Sequence, residues 1–250
     1  MKNLDRKQFL KHLGYASLSV ATFSVLSACG GNSDDISDNE NETDTGNISS
    51  SGTCKVTNSE TAGPFPTKNP STLERVNITG DRTGISLDID ITILDVSNDC
   101  NVLEGVIVDI WHCDKDGNYS EYGGTQMQSS DYTSSHFLRG RQVTDANGLV
   151  QFTSIFPGWY QSRATHIHVH VYNASGTSLL VTQIAFPEGD DSAVVEVNAA
   201  NDYGYTKGMS GYTYNASDNV FSDGVDNELC SISGNVSEGF VLSHVIKVAS

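Results

Sequence analysis

Short runs in which apolar and polar residues alternate, separated by turn residues, dominate the chain from residue 54 onward. A strand sends successive side chains to opposite faces, so this alternation is typical of strands with one buried face. The segments that predict strands are SLDIDITILDV (86–96), GVIVDIWHC (105–113), VTDANGLVQFTSI (143–155), THIHVHVY (165–172), SLLVTQIAF (178–186) and VLSHVIKVA (241–249).

Turn signals support this pattern. Asn147-Gly148 and Asp116-Gly117 stand where tight turns are expected. No long stretch after the N-terminal region has helical periodicity, and we find no internal repeat. Several strands at short spacing without intervening helices predict an all-β sandwich or barrel, and residues 54–250 suit one domain of ordinary size.

The first 28 residues have the pattern of an export signal. A basic start is followed by the apolar stretch LGYASLSVATFSVLSA, which is short and serine-rich for a membrane span. The stretch ends in LSAC, which resembles the bacterial lipobox, and the opening DRKQFLKHLG weakly resembles a twin-arginine signal. We therefore expect a lipoprotein of the bacterial cell envelope, anchored to the membrane through Cys29 only. The alternative is a small buried helix that ends in cysteine by chance.

Residues 29–53 are predicted to be a disordered tether. They carry six acidic residues, no basic ones and few apolar ones, too little to offset the entropy of ordering a chain. The whole chain has a net charge of −17; removing residues 1–28 takes away four of 14 basic and one of 31 acidic residues, so 10 − 30 gives −20. So acidic a chain, without a basic stripe, argues against nucleic acid as a partner.

Four cysteines follow the tether: Cys54, Cys100, Cys113 and Cys230. An even number in an exported protein predicts two disulfide bridges, for which the spacing leaves three possible pairings open. A soft-metal site made of these thiolates is the alternative, and the absence of a close C-x-x-C pair counts against it.

Three histidines lie at alternate positions of one predicted strand, RATHIHVHVY. Their side chains share a face, and neighbouring ones are about 7 Å apart, so two imidazoles can converge on one metal ion. The outer two, His166 and His170, are too far apart to share an ion. We expect His170 to have a structural or supporting role.

Segments around this strand stand in a recognisable order: DIWHCDKDGNYSEY, then FLRGRQVTDANGLVQFTSIFPGWYQSRATHIHVHVY. They resemble the intradiol ring-cleavage dioxygenases, which include protocatechuate and catechol dioxygenases, and above all the secreted single-domain members. The resemblance extends from CKVTNSETAGPFP at Cys54 through VFSDGV to the last strand. It implies a β-sandwich of the intradiol dioxygenase core type.

The resemblance also implies a non-haem Fe(III) site. Family tyrosines match Tyr119 in DGNYS and Tyr160 in FPGWYQ, and the family's H-I-H pair matches His166 and His168. Phenolates are hard anionic ligands that favour ferric iron, and neutral imidazoles complete the set without further charge. Without the motif order, the tyrosines would be read as half-buried turn residues.

Three residues would act in catalysis by the same resemblance: Tyr160, Arg163 and Gln183. A catechol would displace Tyr160, whose phenolate would take a substrate proton, while Arg163 stabilises developing negative charge and Gln183 orients the ring. The implied partners are a small aromatic diol and O2, and the product is a muconate-type diacid. Arg163 in a surface ion pair is the plainer alternative.

Departures from the family pattern leave the substrate open. Ala62 replaces the acidic residue of the family's E-G-P motif, and Glu60 stands two positions earlier. The tether occupies the place of the helical dimerisation segment of cytosolic relatives, so the oligomeric state is not predicted. Rival hypotheses are a copper or zinc β-sandwich enzyme of the superoxide dismutase type and a lipid-anchored binding module without turnover.

Overall fold

A computed structural model describes residues 54–250 and places nine β-strands in this part of the chain. The strands are β1 (Ser86–Asp95), β2 (Asn101–Val102), β3 (Ile107–Trp111), β4 (Arg139–Val143), β5 (Leu149–Ile155), β6 (His166–Tyr172), β7 (Ser178–Ala185), β8 (Ser231–Asn235) and β9 (Gly239–Val248). Helical structure in the same residues is limited to α1 (Ala193–Asn198) and 3-10 turns at Pro70–Thr72, Val96–Asn98, Asn201–Tyr203 and Asn215–Ser217. The predicted all-β class is confirmed.

The strands form two sheets. The β1 sheet has the order β2-β1-β9-β8, with β5 also paired to β1, and its β1–β9 pairing is parallel. The β6 sheet has the order β4-β3-β6-β7 and is antiparallel throughout. Inward side chains of both sheets belong to one hydrophobic core, so the predicted sandwich is confirmed.

Alternation along β1 shows how the sequence places this core. Leu87, Ile89, Ile91 and Ile93 are fully buried, while the residues between them are exposed or half-buried. Burying a side chain of this size contributes about 1.5–3 kcal/mol, so the apolar face determines which way the strand faces. Ile167 of β6 enters the same core from the opposite sheet.

The alternation did not predict β2, β4 or β8. Strand β4 reads RGRQV and β8 reads SISGN, so neither offers the apolar face on which the prediction depended. The predicted turns are present: Gly148 donates its backbone N–H to Asp145 O, and Gly117 donates to Asp114 O.

One of the two predicted disulfides is confirmed and the other is wrong. Cys54 is bonded to Cys100, whereas Cys113 and Cys230 are buried and form no disulfide within residues 54–250. Cys113 belongs to a small cluster with Trp111 outside the sandwich, while Cys230 belongs to the sandwich core. Each free thiol therefore packs as a small apolar group in a different cluster.

The predicted signal (1–28), the tether (29–53) and the proposed anchor Cys29 lie outside the described residues. Within residues 54–250, no helix combines the length and the apolar character that crossing a bilayer requires.

Candidate active site

Strand β6 is buried on both faces over most of its length. Ile167 and Val169 face the sandwich core, so His166 and His168 face outward, away from it. Loops cover the outward face. The N-terminal loop approaches so closely that a Cβ added to Gly63 would lie 3.0 Å from His168 Cε1.

The structure brings the four predicted metal ligands together. His166 Nε2 lies 3.2 Å from Tyr119 Oη and 3.2 Å from His168 Nε2. Tyr160 lies beside them, with its ring centroid 5.7 Å from that of His166. Two phenol oxygens and two imidazole nitrogens thus line one spot on the outer face of the β6 sheet.

Two loops present the tyrosines, and the loops support each other. Tyr119 follows a turn in which Asp114 Oδ1 accepts hydrogen bonds from the backbone of residues 116 and 118. Gly117 has a φ of 87° in this turn, and a Cβ there would lie 2.5 Å from the Trp159 carbonyl oxygen, so only glycine permits the contact. The second loop, which carries Tyr160, is thereby held against the first.

The tautomer of His166 suits a metal ligand. Its Nδ1 lies 2.6 Å from the Ala164 carbonyl oxygen, to which it must donate. This leaves the lone pair on Nε2, the atom that points toward Tyr119 and His168. A backbone carbonyl that orients the far nitrogen in this way is the usual support of a metal-binding histidine.

Burial controls the charge states of these groups. It lowers the pKa of His166 and of His168 well below the ordinary value, with the positive charge of Arg163 adding to the effect, so both rings are neutral. Burial likewise raises the pKa of Tyr119 well above that of a free phenol and raises that of Tyr160. A highly charged cation would be needed to make two such phenols ionise, and Fe(III) is one. The donor set therefore fits ferric iron.

Exposure separates the two tyrosines. Tyr119 is fully buried and packs face to face on Phe65, with ring centroids 4.8 Å apart. Tyr160 is partly exposed, and its hydroxyl lies 3.3 Å from Arg163 Nη1. Only Tyr160 is placed to move aside for a ligand that enters from solvent.

Arg163 is fixed beside the site by a carboxylate that the sequence did not reveal. Its Nε donates to both oxygens of Asp218, at 3.0 and 2.8 Å, and its Nη2 donates to Gln183 Oε1 at 2.5 Å. Although burial opposes its charge, Tyr160 and Asp218 outweigh this effect and raise the pKa of Arg163. The predicted catalytic pair, Arg163 and Gln183, is thus in direct contact.

Asp218 lies 55 positions from Arg163, and no local spacing links them. The sequence analysis also assigned no role to Trp111 in the site. Trp111 lies parallel to His168 at a centroid distance of 4.9 Å and fixes the plane of that ring. Alternation alone could not have found this contact, because it depends on the pairing of β3 with β6, which brings Trp111 opposite His168.

His170 lies apart from the converging groups. Its Nε2 is 2.8 Å from Ser178 Oγ, and its Nδ1 is 2.8 Å from the hydroxyl of Tyr172. Both ring nitrogens are therefore engaged at the far end of the strand, which agrees with the structural role expected for it.

Comparison with known proteins adds the family. A family model described as Dioxygenase matches residues 65–208, a range that contains Tyr119, Tyr160, Arg163 and both histidines of the site. A solved intradiol ring-cleavage dioxygenase from Tetranychus urticae is 28% identical, with a TM-score of 0.67 over 78% of this chain and 95% of that one. The chain belongs to the intradiol ring-cleavage dioxygenases.

Two further comparisons are weaker, the first in coverage and the second in sequence identity. A chlorocatechol 1,2-dioxygenase from Rhodococcus opacus is 32% identical over 107 residues, which are 35% of this chain and 38% of that relative. The chain therefore matches well under half the length of this curated relative. The dioxygenase domain of a carbohydrate-binding fusion protein from Streptomyces sp. SirexAA-E shares the fold, with a TM-score of 0.54 and 22% identity.

Proposed function

We propose that this protein is a non-haem Fe(III) enzyme that cleaves a catechol-type ring between its two hydroxyl-bearing carbons. Both atoms of O2 enter the product, a muconate-type diacid, so that catechol plus O2 equals the product without another reductant. The observation that carries this proposal is the convergence of Tyr119, Tyr160, His166 and His168 beside the Arg163–Gln183 pair.

Tyr119, Tyr160, His166 and His168 would hold the iron. When bound, Fe(III) would supply a Lewis acid that makes the catechol ring reactive toward O2. Tyr119 is sealed behind Phe65 and stays in place. Tyr160 is partly exposed, so it yields its position and its phenolate accepts a proton from the entering diol.

Arg163 and Gln183 act as one unit on the ring. The guanidinium is held from behind by Asp218, which leaves Nη1 facing Tyr160 Oη and His166 Nε2, both at 3.3 Å. A fixed positive charge at this spot stabilises the negative charge that develops on the ring carbon attacked by O2. The amide nitrogen of Gln183 donates to the Thr61 carbonyl, so its Oε1 is held toward Arg163.

Iron loading with a catechol panel tests this proposal. The iron-loaded protein should show a visible phenolate-to-iron charge-transfer band and should take up one O2 per catechol consumed. Stoichiometric copper or zinc with no band after iron reconstitution would instead favour an enzyme of the superoxide dismutase type. A band without O2 uptake for any catechol would favour a binding module.

We also propose the lipid anchor as the cellular context. The order of basic start, apolar stretch and LSAC supports lipidation at Cys29. Mass spectrometry of the N-terminal peptide after expression in a bacterium checks it: a diacylated Cys29 is expected, and an intact residue 1–28 segment would refute it.

A further inference from the structure

A second group of potential metal ligands lies outside the tyrosine and histidine set. One carboxylate oxygen from each of Glu60, Asp223 and Glu228 lies within 4.8 Å of the others. We refer to these three residues as the acidic cluster. Like charges at this separation repel one another unless a cation or a proton lies between them.

Glu228 is the most buried member of the acidic cluster. Its side chain is fully buried, and its Oε1 accepts a hydrogen bond from Thr182 Oγ1 at 3.2 Å. Its Oε2 has no hydrogen-bond partner among the described residues. Among residues 54–250, no lysine or arginine forms an ion pair with any of the three carboxylates. An unpaired carboxylate oxygen in such a place is costly.

The pKa values of two carboxyl groups in the acidic cluster also indicate that a cation or a proton lies between them. Burial raises the pKa of Glu228 to about 8, and the nearby charges of Glu60 and Asp223 add to the shift. Burial and Asp223 raise the pKa of Glu60 as well, and the positive charge of Arg163 offsets only part of this shift. The carboxyl groups of the acidic cluster therefore resist becoming anions together unless positive charge joins them.

Backbone hydrogen bonds fix the positions of two residues of the acidic cluster. Glu60 donates its backbone N–H to Val181 O, and the carbonyl of Glu228 accepts from Ala185 N, so both residues are fastened along β7. Asn58 Nδ2 donates to Asp223 Oδ2 at 3.0 Å and ties the two segments to each other. Three acidic side chains from two chain segments thus meet in a pre-organised arrangement at one strand.

We propose that the acidic cluster is a binding site for a hard divalent cation, namely Ca²⁺. The ligands on offer are all carboxylate oxygens, which hard cations prefer over nitrogen or sulfur ligands. Ca²⁺ accepts six to eight oxygens at about 2.3–2.6 Å in a flexible geometry that allows bidentate carboxylates, so three side chains and some water suffice. Mg²⁺ needs a stricter octahedron.

A cation there would fasten two segments that reach the candidate active site. One residue after Glu60, the Thr61 carbonyl accepts from Gln183, and Gly63 packs against His168. Five residues before Asp223, the Asp218 carboxylate fixes Arg163. Bound Ca²⁺ would join the N-terminal loop to the segment that holds Arg163.

Calcium titration of the metal-free full chain tests the proposal without any activity measurement. Titration calorimetry should show one saturable Ca²⁺ site, and a roughly 100-fold excess of Ca²⁺ over its Kd should raise Tm by about 5–10 °C. Glu228→Gln should weaken binding at least tenfold. Asp223→Asn changes an exposed member of the cluster and should do the same without disturbing the interior.

Glu104→Gln is the matched control, because Glu104 is exposed and distant in sequence from the cluster. This variant keeps the acidic residues 29–53, so any weak calcium binding by them appears equally in all proteins compared. The proposal is overturned if wild type shows no saturable site, which would mean that the carboxyl groups share a proton instead. It is also overturned if both cluster variants bind Ca²⁺ as tightly as Glu104→Gln does.

Discussion

The two sheets of the sandwich treat their outward faces differently. On β1, outward residues such as Asp88 are exposed and Asp90 is half-buried. On β6, the outward residues His166 and His168 are as buried as the apolar residues between them. Both strands alternate in the same way along the sequence, so the difference arises from the loops that cover only the β6 sheet.

Covering the polar outward face of the β6 sheet prepares its imidazoles for metal binding but costs the desolvation of polar groups. Burial keeps the imidazoles neutral, but it also requires a partner for every polar group beneath the loops. Arg139, at the edge of the same face, is fully buried and donates to Ser120 Oγ and to the Phe65 carbonyl. The β6 sheet therefore depends on hydrogen bonds where the β1 sheet depends on water.

The largest expected effect comes from His166, and His170 on the same face of β6 is the matched control. His166→Ala should abolish stable iron binding and ring cleavage, because its Nε2 contacts two of the other candidate ligands. His170→Ala should keep iron, since the two ring nitrogens of His170 are engaged by Ser178 and Tyr172 at the far end of the strand. Iron content and O2 uptake decide between them. Loss of iron in His170→Ala with retention in His166→Ala would move the ligand pair to His168 and His170.

The two tyrosines should differ in a graded way. Tyr160→Phe should retain iron with an altered colour and lose roughly 10²–10⁴-fold in turnover, because substrate deprotonation loses its acceptor. Tyr119→Phe should weaken iron retention as well, because Tyr119 is the sealed ligand. Metal analysis beside stopped-flow catechol binding measures both effects. Equal iron loss in the two variants would contradict the distinction that exposure suggests.

Substituting one aspartate on the outward face of each sheet compares the two faces directly. Asp109 of β3 is buried and makes two hydrogen bonds with Arg141, at 2.5 and 2.7 Å. Asp109→Ala should lower the free energy of unfolding by about 3 kcal/mol, because it leaves Arg141 mostly buried and unpaired. Asp90→Ala on β1 is the matched control and should change it by less than about 0.5 kcal/mol. Urea denaturation gives both values, and similar losses would mean that the two outward faces do not differ in energy.

The smallest expected effect concerns a histidine on the inward face of the β1 sheet. Burial lowers the pKa of His244 to about 4, and its Nε2 has no hydrogen-bond partner in the part of the chain that the structure describes. Between about pH 4 and 6.5, the unfolded chain therefore binds a proton at His244 that the native protein does not. The stability that neutral His244 provides is complete above about pH 6.5 and is lost as the pH falls toward 4.

Replacing His244 with leucine should shrink the loss of stability between pH 7 and pH 5 by about 2 kcal/mol. Denaturant unfolding of His244→Leu and wild type at both pH values measures this difference. Above pH 7 the two proteins should respond alike to pH. An unchanged loss between pH 7 and 5 would show that the ring is protonated in the native protein.

Much of the fold could be predicted from the sequence alone. The two-residue period of β1 determines which face is buried, because a strand of isoleucines and aspartates has only one orientation that removes the apolar side chains from water. The same period places His166 and His168 on one face, and the motif order around them led to the family. Strand β4, with Arg139 and Arg141 on its covered face, lacked that period and was missed.

Only the tertiary structure decided what surrounds the histidines. Tyr119 reaches His166 from 47 positions away and Asp218 reaches Arg163 from 55, through loops whose path no local pattern encodes. Within residues 54–250 it also left Cys113 and Cys230 unpaired, because packing placed the two thiols in different clusters. Alternation is a local property, set by the geometry of one strand. Which outward face the loops cover is set by long-range contacts between segments, and these contacts turned one of two similar faces into the candidate active site.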